Sequence, residues 1–168
     1  MSNLSARFVT LVIGGGIALS AHASPAAVLG PHAAACQPGS DRPAMLVRID
    51  GLQARQGKLR VQSYGGDPSR YFEKGAYLER VDIEPLPNGP IEVCMLVPSP
   101  GKYAISVKHD RDPAGGFSLK DGGGFSGNPN VSAMDALFKR KPSADKVQVA
   151  VRGVTQVPVK VRYLQGNS

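Results

Sequence analysis

Four oxygen-bearing side chains follow one another from Asp110: Asp110, Asp112, Ser118 and Asp121, with Gly115 between them. Against the loop of an EF-hand they fall at the first, third, ninth and twelfth places, and Gly115 takes the sixth. Calcium requires several hard oxygens on a loop tight enough to wrap it, so calcium is the candidate cofactor of this stretch. Two positions depart from the pattern. Ala114 stands at the fifth place, and Asp121 is shorter than the usual bidentate Glu. No strong helix pattern flanks the run. A solvated acidic turn after a strand is the alternative reading.

A second group, His109, Asp110 and Ser126, has the residue types of a hydrolase. Ser126 stands in Phe125-Ser126-Gly127, which is not a strand-to-helix elbow. His109 shares strand parity with Ile105 and Val107, which places it at the end of a core-facing row instead. The run Gly122-Gly123-Gly124-Phe125-Ser126-Gly127 formally matches G-x-G-x-x-G, but no βαβ unit surrounds it and no helix begins there. Its glycines are expected to let a loop fold back, with Phe125 plugging into the end of the domain. With Asn128, the residues His109, Asp110, Phe125 and Ser126 make up a candidate binding loop. His32 stands apart from them, so no His-rich metal site is indicated.

The elements that must position these groups alternate with period two, as half-buried antiparallel strands do. Met45, Val47 and Ile49 share one face. Leu59 and Val61 point inward between Lys58, Arg60 and Gln62. Tyr77–Ile83 is a further strand. Ile91, Val93, Met95 and Val97 alternate with Glu92, Cys94 and Leu96, so this strand has two fairly apolar faces and is expected to be central. Tyr103, Ile105 and Val107 share a face after the turn Pro98-Ser99-Pro100-Gly101. Val147, Val149 and Val151 form one strand, and Val157, Val159, Val161 and Tyr163 the last, where Pro158 suits an edge. About seven short strands predict an all-β, antiparallel β-sandwich over residues 45–165. One short helix is expected over Ser132–Phe138, with Ser132 as N-cap and Asp135 three residues on. Asp110–Asn130 is left as a long Gly-rich loop, and a loop of that length is where function concentrates.

The N-terminal 23 residues read as a secretory signal peptide. They carry one charge, Arg7, then the apolar run Phe8–Ile13 and Ile17–Leu19, then the small-x-small site Ala21-His22-Ala23. Gly14, Gly15 and Gly16 interrupt the run, which is too short for a confident membrane span. A retained N-terminal anchor is the alternative. Lipidation at Cys36 fits less well, because Cys36 lies far beyond the apolar run. Residues 24–44 form an Ala/Pro/Gly-rich extended lead-in. The expected location is periplasmic or secreted, with no transmembrane segment after cleavage. In that setting two cysteines read as one disulfide, Cys36–Cys94.

The full chain carries a formal charge of +7 and no Trp. Arg48, Lys58, Arg60, Lys108, Arg152, Lys160 and Arg162 fall on outward positions. Were their strands neighbours, they would form a basic sheet face able to meet lipopolysaccharide, nucleic acid or another polyanion. No specific nucleic-acid motif accompanies them, and a solvated face that discourages edge aggregation is the alternative.

The order Gly51-Leu52, Gly57-Lys58-Leu59-Arg60-Val61, Pro100-Gly101-Lys102-Tyr103-Ala104, His109-Asp110, Gly122-Gly123-Gly124-Phe125-Ser126 and Val161-Arg162-Tyr163 resembles a family of uncharacterised bacterial exported proteins, a domain of unknown function. The resemblance spans Met45 to Leu164. It implies a transthyretin-like or immunoglobulin-like sandwich and supplies no catalytic residue. After His109-Asp110 this chain reads Arg111-Asp112-Pro113-Ala114-Gly115, where family members often carry an Asn- and Gly-rich, calcium-loop-like run. The reading that results is a non-enzymatic binding or accessory module whose partner is an unknown protein or cell-envelope component. A hydrolase using the His109/Asp110/Ser126 region and a polyanion binder are the alternatives.

Overall fold

Sustained period-two alternation becomes strand throughout a computed structural model that describes residues 27–112, 118, 120–131 and 140–163. The expected signal segment 1–23 and the expected helix Ser132–Phe138 lie outside the described residues. The strands are β1 (Val28–Leu29), β2 (Ala44–Asp50), β3 (Lys58–Tyr64), β4 (Glu79–Ile83), β5 (Ile91–Leu96), β6 (Gly101–Asp110), β7 (Gly122–Phe125), β8 (Val149–Val151), β9 (Val154–Lys160) and β10 (Arg162–Tyr163), with one helical turn, α1 (Ala144–Val147). They form two sheets, as a β-sandwich requires. The smaller has the order β1-β5-β2-β9. The larger has the order β10-β7-β6-β3-β4, with β8 paired to the first half of β6. Between them lies one core, with Met45, Val47, Leu59, Val61, Ile91, Val93, Met95, Ile105, Val157 and Val159 all buried. β5 is internal to its sheet and β9 is at an edge, where Pro158 costs no ladder hydrogen bond.

Both sheets are also covered on part of their outer face. Cys94 points outward from β5 and is bonded to Cys36, which a 3-10 turn (Ala33–Cys36) lays over the smaller sheet. Ala35, Cys36, Ala44 and Cys94 are buried there. On the larger sheet, Tyr64 of β3 and Phe125 of β7 stand beside Tyr71 and Phe72 from the β3–β4 connection. Val147 of α1 closes this second cluster. Phe72 has φ 64°, a left-handed conformation unusual for a bulky side chain. Its ring stands edge-on to Tyr64 at 4.9 Å and to Phe125 at 4.8 Å.

Several expectations need correction. Ten strands replace seven among the described residues: β1 and β10 are two residues each, too short to alternate visibly, and β7 is three glycines and Phe125. The sandwich is not wholly antiparallel: β1 pairs parallel to β5, and β9 parallel to β2 over seven residues. The described part of the lead-in contains β1 and the disulfide-bearing turn. The strand expected from Tyr77 begins at Glu79. Val147 ends a helical turn rather than starting a strand. The final strand divides. β9 stays in the smaller sheet, and after Val161 the chain crosses to pair as β10 with β7. Val161 is buried, and its N–H donates to the Asp50 carbonyl at 2.8 Å.

The Gly-rich stretch is not all loop. Gly122–Phe125 is strand β7, hydrogen-bonded between β6 and β10. Two of its glycines, Gly122 and Gly124, face space that neighbours fill. A Cβ on Gly122 would lie 2.5 Å from Val161 Cγ1, and one on Gly124 2.6 Å from the Lys160 carbonyl oxygen. Phe125 therefore packs on the outer face of the larger sheet and does not plug the sandwich end.

Candidate functional site

The register of β6 with β7 creates the site. Ser106, Val107, Lys108 and His109 pair with Phe125, Gly124, Gly123 and Gly122 in turn. One further step sets Asp121 opposite Asp110. These two carboxylates thus stand at the neck of the loop between β6 and β7, on the same side of the sheet as Lys108. The Lys108 ammonium lies 3.5 Å from Oδ2 of each. Asp121 Oδ2 also accepts the Ser118 N–H at 3.0 Å, and Ser118 Oγ accepts the Lys120 N–H at 3.1 Å. The Oδ1 atoms of Asp110 and Asp121 are buried and accept no hydrogen bond. Of the four oxygen ligands expected from the sequence, the structure gathers Asp110, Ser118 and Asp121. Asp112 is exposed. Among the described residues no three His, Cys, Asp or Glu side chains converge as a metal-binding group.

His109 is fully buried beneath this neck. Its Nε2 faces the Gln56 carbonyl at 2.8 Å, so Nε2 carries the proton and donates it. Nδ1 is then the acceptor of the Tyr163 hydroxyl hydrogen. Tyr163 Oη in turn accepts the Gln53 N–H at 3.3 Å. Burial holds the His109 pKa below the ordinary imidazole value, and the nearby Arg111 guanidinium pushes the same way against the Gln56 hydrogen bond. The imidazole is neutral at pH 7 and structural. Burial also raises the Tyr163 pKa, so the phenol keeps its proton. The partner role of Tyr163 is legible only once β10 is known to lie beside β7.

Ser126 is likewise enclosed. Its hydroxyl donates to the Val147 carbonyl and accepts the Ile105 N–H at 2.9 Å. The structure therefore does not join His109, Asp110 and Ser126 into a relay. Both histidine nitrogens have other partners, Asp110 faces Lys108, and the serine proton is committed to a backbone carbonyl. Asn128 has left-handed backbone, φ 49°. Its side-chain amide donates to the Pro158 carbonyl at 3.1 Å and accepts the Lys160 N–H at 2.7 Å. It thereby satisfies the free edge of β9 as a neighbouring strand would.

The expected basic face is not continuous. Arg48 and Lys160 belong to the smaller sheet, whereas Lys58, Arg60 and Lys108 stand on the larger. Arg60 makes a two-pronged bond to Asp82 at 2.8 and 2.9 Å, which raises its own pKa and lowers that of Asp82. Arg162 donates to the Pro129 carbonyl at 2.7 Å.

A recess of about 460 Å³ lies between the lead-in and β4, lined by His32, Arg42, Pro43, Leu78, Glu79, Leu96, Val97 and Pro98. Glu79 Oε2 accepts the Leu96 N–H at 3.0 Å, and Oε1 lies 3.3 Å from His32 Nε2. Burial raises the Glu79 pKa against these two stabilising contacts. No sequence pattern pointed to this recess, because its residues come from four separate segments.

No described helix is long and apolar enough to cross a membrane. No curated protein and no solved structure matches the chain. The family model of an uncharacterised protein conserved in bacteria, DUF2141, matches residues 47–158, well over half of the chain, and the chain belongs to that family.

Proposed function

We propose that this chain is an extracytoplasmic β-sandwich acting as a non-enzymatic binding or accessory module of the bacterial cell envelope. The observation that carries the reading is the Cys36–Cys94 disulfide, with Cα atoms 5.8 Å apart and no free cysteine among the described residues. Disulfides of this structural kind persist in oxidising compartments. The signal-like residues 1–23 agree with export. The non-enzymatic half rests on the internal commitments of His109 and Ser126, which leave neither a free base nor an activated hydroxyl. The polyanion reading has less support, since the cations divide between two opposite outer faces and Arg60 is matched by an acid. The contact surface in this proposal is the β6–β7 loop with the sheet end beside it.

The test is to express the full chain with a C-terminal tag in a Gram-negative host and fractionate the cells. Periplasmic or secreted protein, shortened by cleavage after Ala23 and resistant to thiol alkylation until reduced, supports the proposal. Full-length cytoplasmic protein with two alkylatable thiols overturns it. Turnover by the purified domain on ester or peptide substrates that His109→Ala removes would overturn the non-enzymatic part.

A further inference from the structure

We propose that the neck of the β6–β7 loop is a weak divalent-cation site, fitted to calcium and built on the carboxylates of Asp110 and Asp121. Each has one oxygen, Oδ1, that is buried and without a hydrogen bond. The Asp121 side chain is 2 % exposed. A desolvated carboxylate oxygen with no donor is costly, and such orphans mark the place of an ion or a water. Among the described residues the cation paired with them is Lys108, shared between both Oδ2 atoms at 3.5 Å. That distance is long for a charge-assisted hydrogen bond, and one ammonium does not neutralise two carboxylates. The Ser118 N–H holds the Asp121 carboxylate by Oδ2, leaving Oδ1 for a ligand.

The donors select the kind of ion. Carboxylate and hydroxyl oxygens are hard ligands suited to calcium or magnesium, and the adjacent His109 cannot add nitrogen because both ring atoms are engaged. Magnesium demands near-ideal octahedral geometry and gives up water reluctantly, whereas calcium tolerates an irregular shell of loop oxygens and waters. Two carboxylates form a poor cage, so the site belongs with extracellular modules whose Kd is about 10⁻⁴–10⁻³ M. Lys108, with its side chain 41 % exposed, is the competitor. Its ammonium swings to solvent as the ion enters.

The experiment is a thermal melt of the oxidised full chain in about 10 mM calcium chloride, against sodium chloride of equal ionic strength, with calcium titration calorimetry beside it. Calcium is expected to raise Tm by about 3–6 °C. Asp121→Asn and Asp110→Asn should each abolish the rise. Lys108→Met, which removes the competing cation, should tighten calcium several-fold. If Asp121→Asn fails to fold, Asp110→Asn and Lys108→Met still decide the matter. Identical Tm in calcium and sodium for both the wild type and Lys108→Met overturns the proposal. So does a calcium-induced rise that survives both aspartate substitutions.

Discussion

The two outer faces of the sandwich are closed by different means. Over the smaller sheet, the fully buried residues are Ala35, Cys36, Ala44 and Cys94, with Val28, Leu46 and Leu96 only partly buried against them. The fully buried side chains are small, so they bury less apolar surface than the aromatic rings of the other face. The covalent bond supplies what packing does not. Over the larger sheet, Tyr64, Tyr71, Phe72 and Phe125 interlock. Aromatic pairs in edge-on contact add to the area they bury, and no cross-link is present. A small domain can therefore complete an outer layer either by shrinking the residues and tying them or by enlarging the residues and leaving them untied.

The largest expected effect lies on the tied side. The disulfide joins residues 58 apart in sequence, and its removal by reduction or by the double change Cys36→Ala, Cys94→Ala should cost about 4 kcal/mol in denaturant titrations. Amide exchange should then accelerate first over residues 27–43 while β3 and β6 stay protected. Equal acceleration in β3 and β6 would break the contrast between the faces. On the untied side, Tyr64→Ala should cost about 3 kcal/mol, under reducing and oxidising conditions alike. A cost that changes with redox state would show that the two coverings are coupled.

Smaller effects belong to the polar ties beside the loop. His109 is buried and neutral, with its pKa held below the ordinary value by burial. The unfolded chain therefore takes up the proton more readily than the folded one. The stabilisation is complete above about pH 6.5 and is lost as pH falls below it, by up to about 1.4 kcal/mol per pH unit until the folded value is reached. Urea midpoints measured from pH 7.5 to 5 should trace this fall, and His109→Gln should flatten it. Asn128→Ala removes two hydrogen bonds to the β9 edge and should cost about 1–2 kcal/mol, with faster exchange at Lys160 as its local signature.

The sequence made the inner faces legible and the connections between strands illegible. Met45, Val47 and Ile49, or Tyr103, Ile105 and Val107, announce their strands because burial on one face imposes alternation. β7 gave no such signal, since a glycine strand has no side chains to alternate, and its bulk is supplied by Val161 and Tyr163. Val157, Val159, Val161 and Tyr163 read as one strand because crossing between facing sheets preserves inward parity. Nothing local to β2 or β9 says that they run parallel. The aromatic cover was missed because Tyr71 and Phe72 lie in an irregular connection. At the candidate site, the spacing alone points to Asp110, Ser118 and Asp121. It does not point to Lys108, although Lys108 lies two residues from Asp110 and so on the same face. His109 was placed correctly at the end of the core row, but its partners required the β10 crossing.

The disulfide also shapes how the domain would carry load. A pull applied at the start of β1 and at β10 reaches Cys36 and passes directly through sulfur to Cys94, bypassing the chain between them. That bypassed segment holds β2, β3 and β4 and, drawn out, would span about 200 Å. In the oxidised domain this length is hidden from the pull, whereas β9, which joins β2 in a seven-residue parallel seam, lies on the loaded chain between Cys94 and β10. Reduction would release the hidden length, turning a short, stiff link into a long, extensible one.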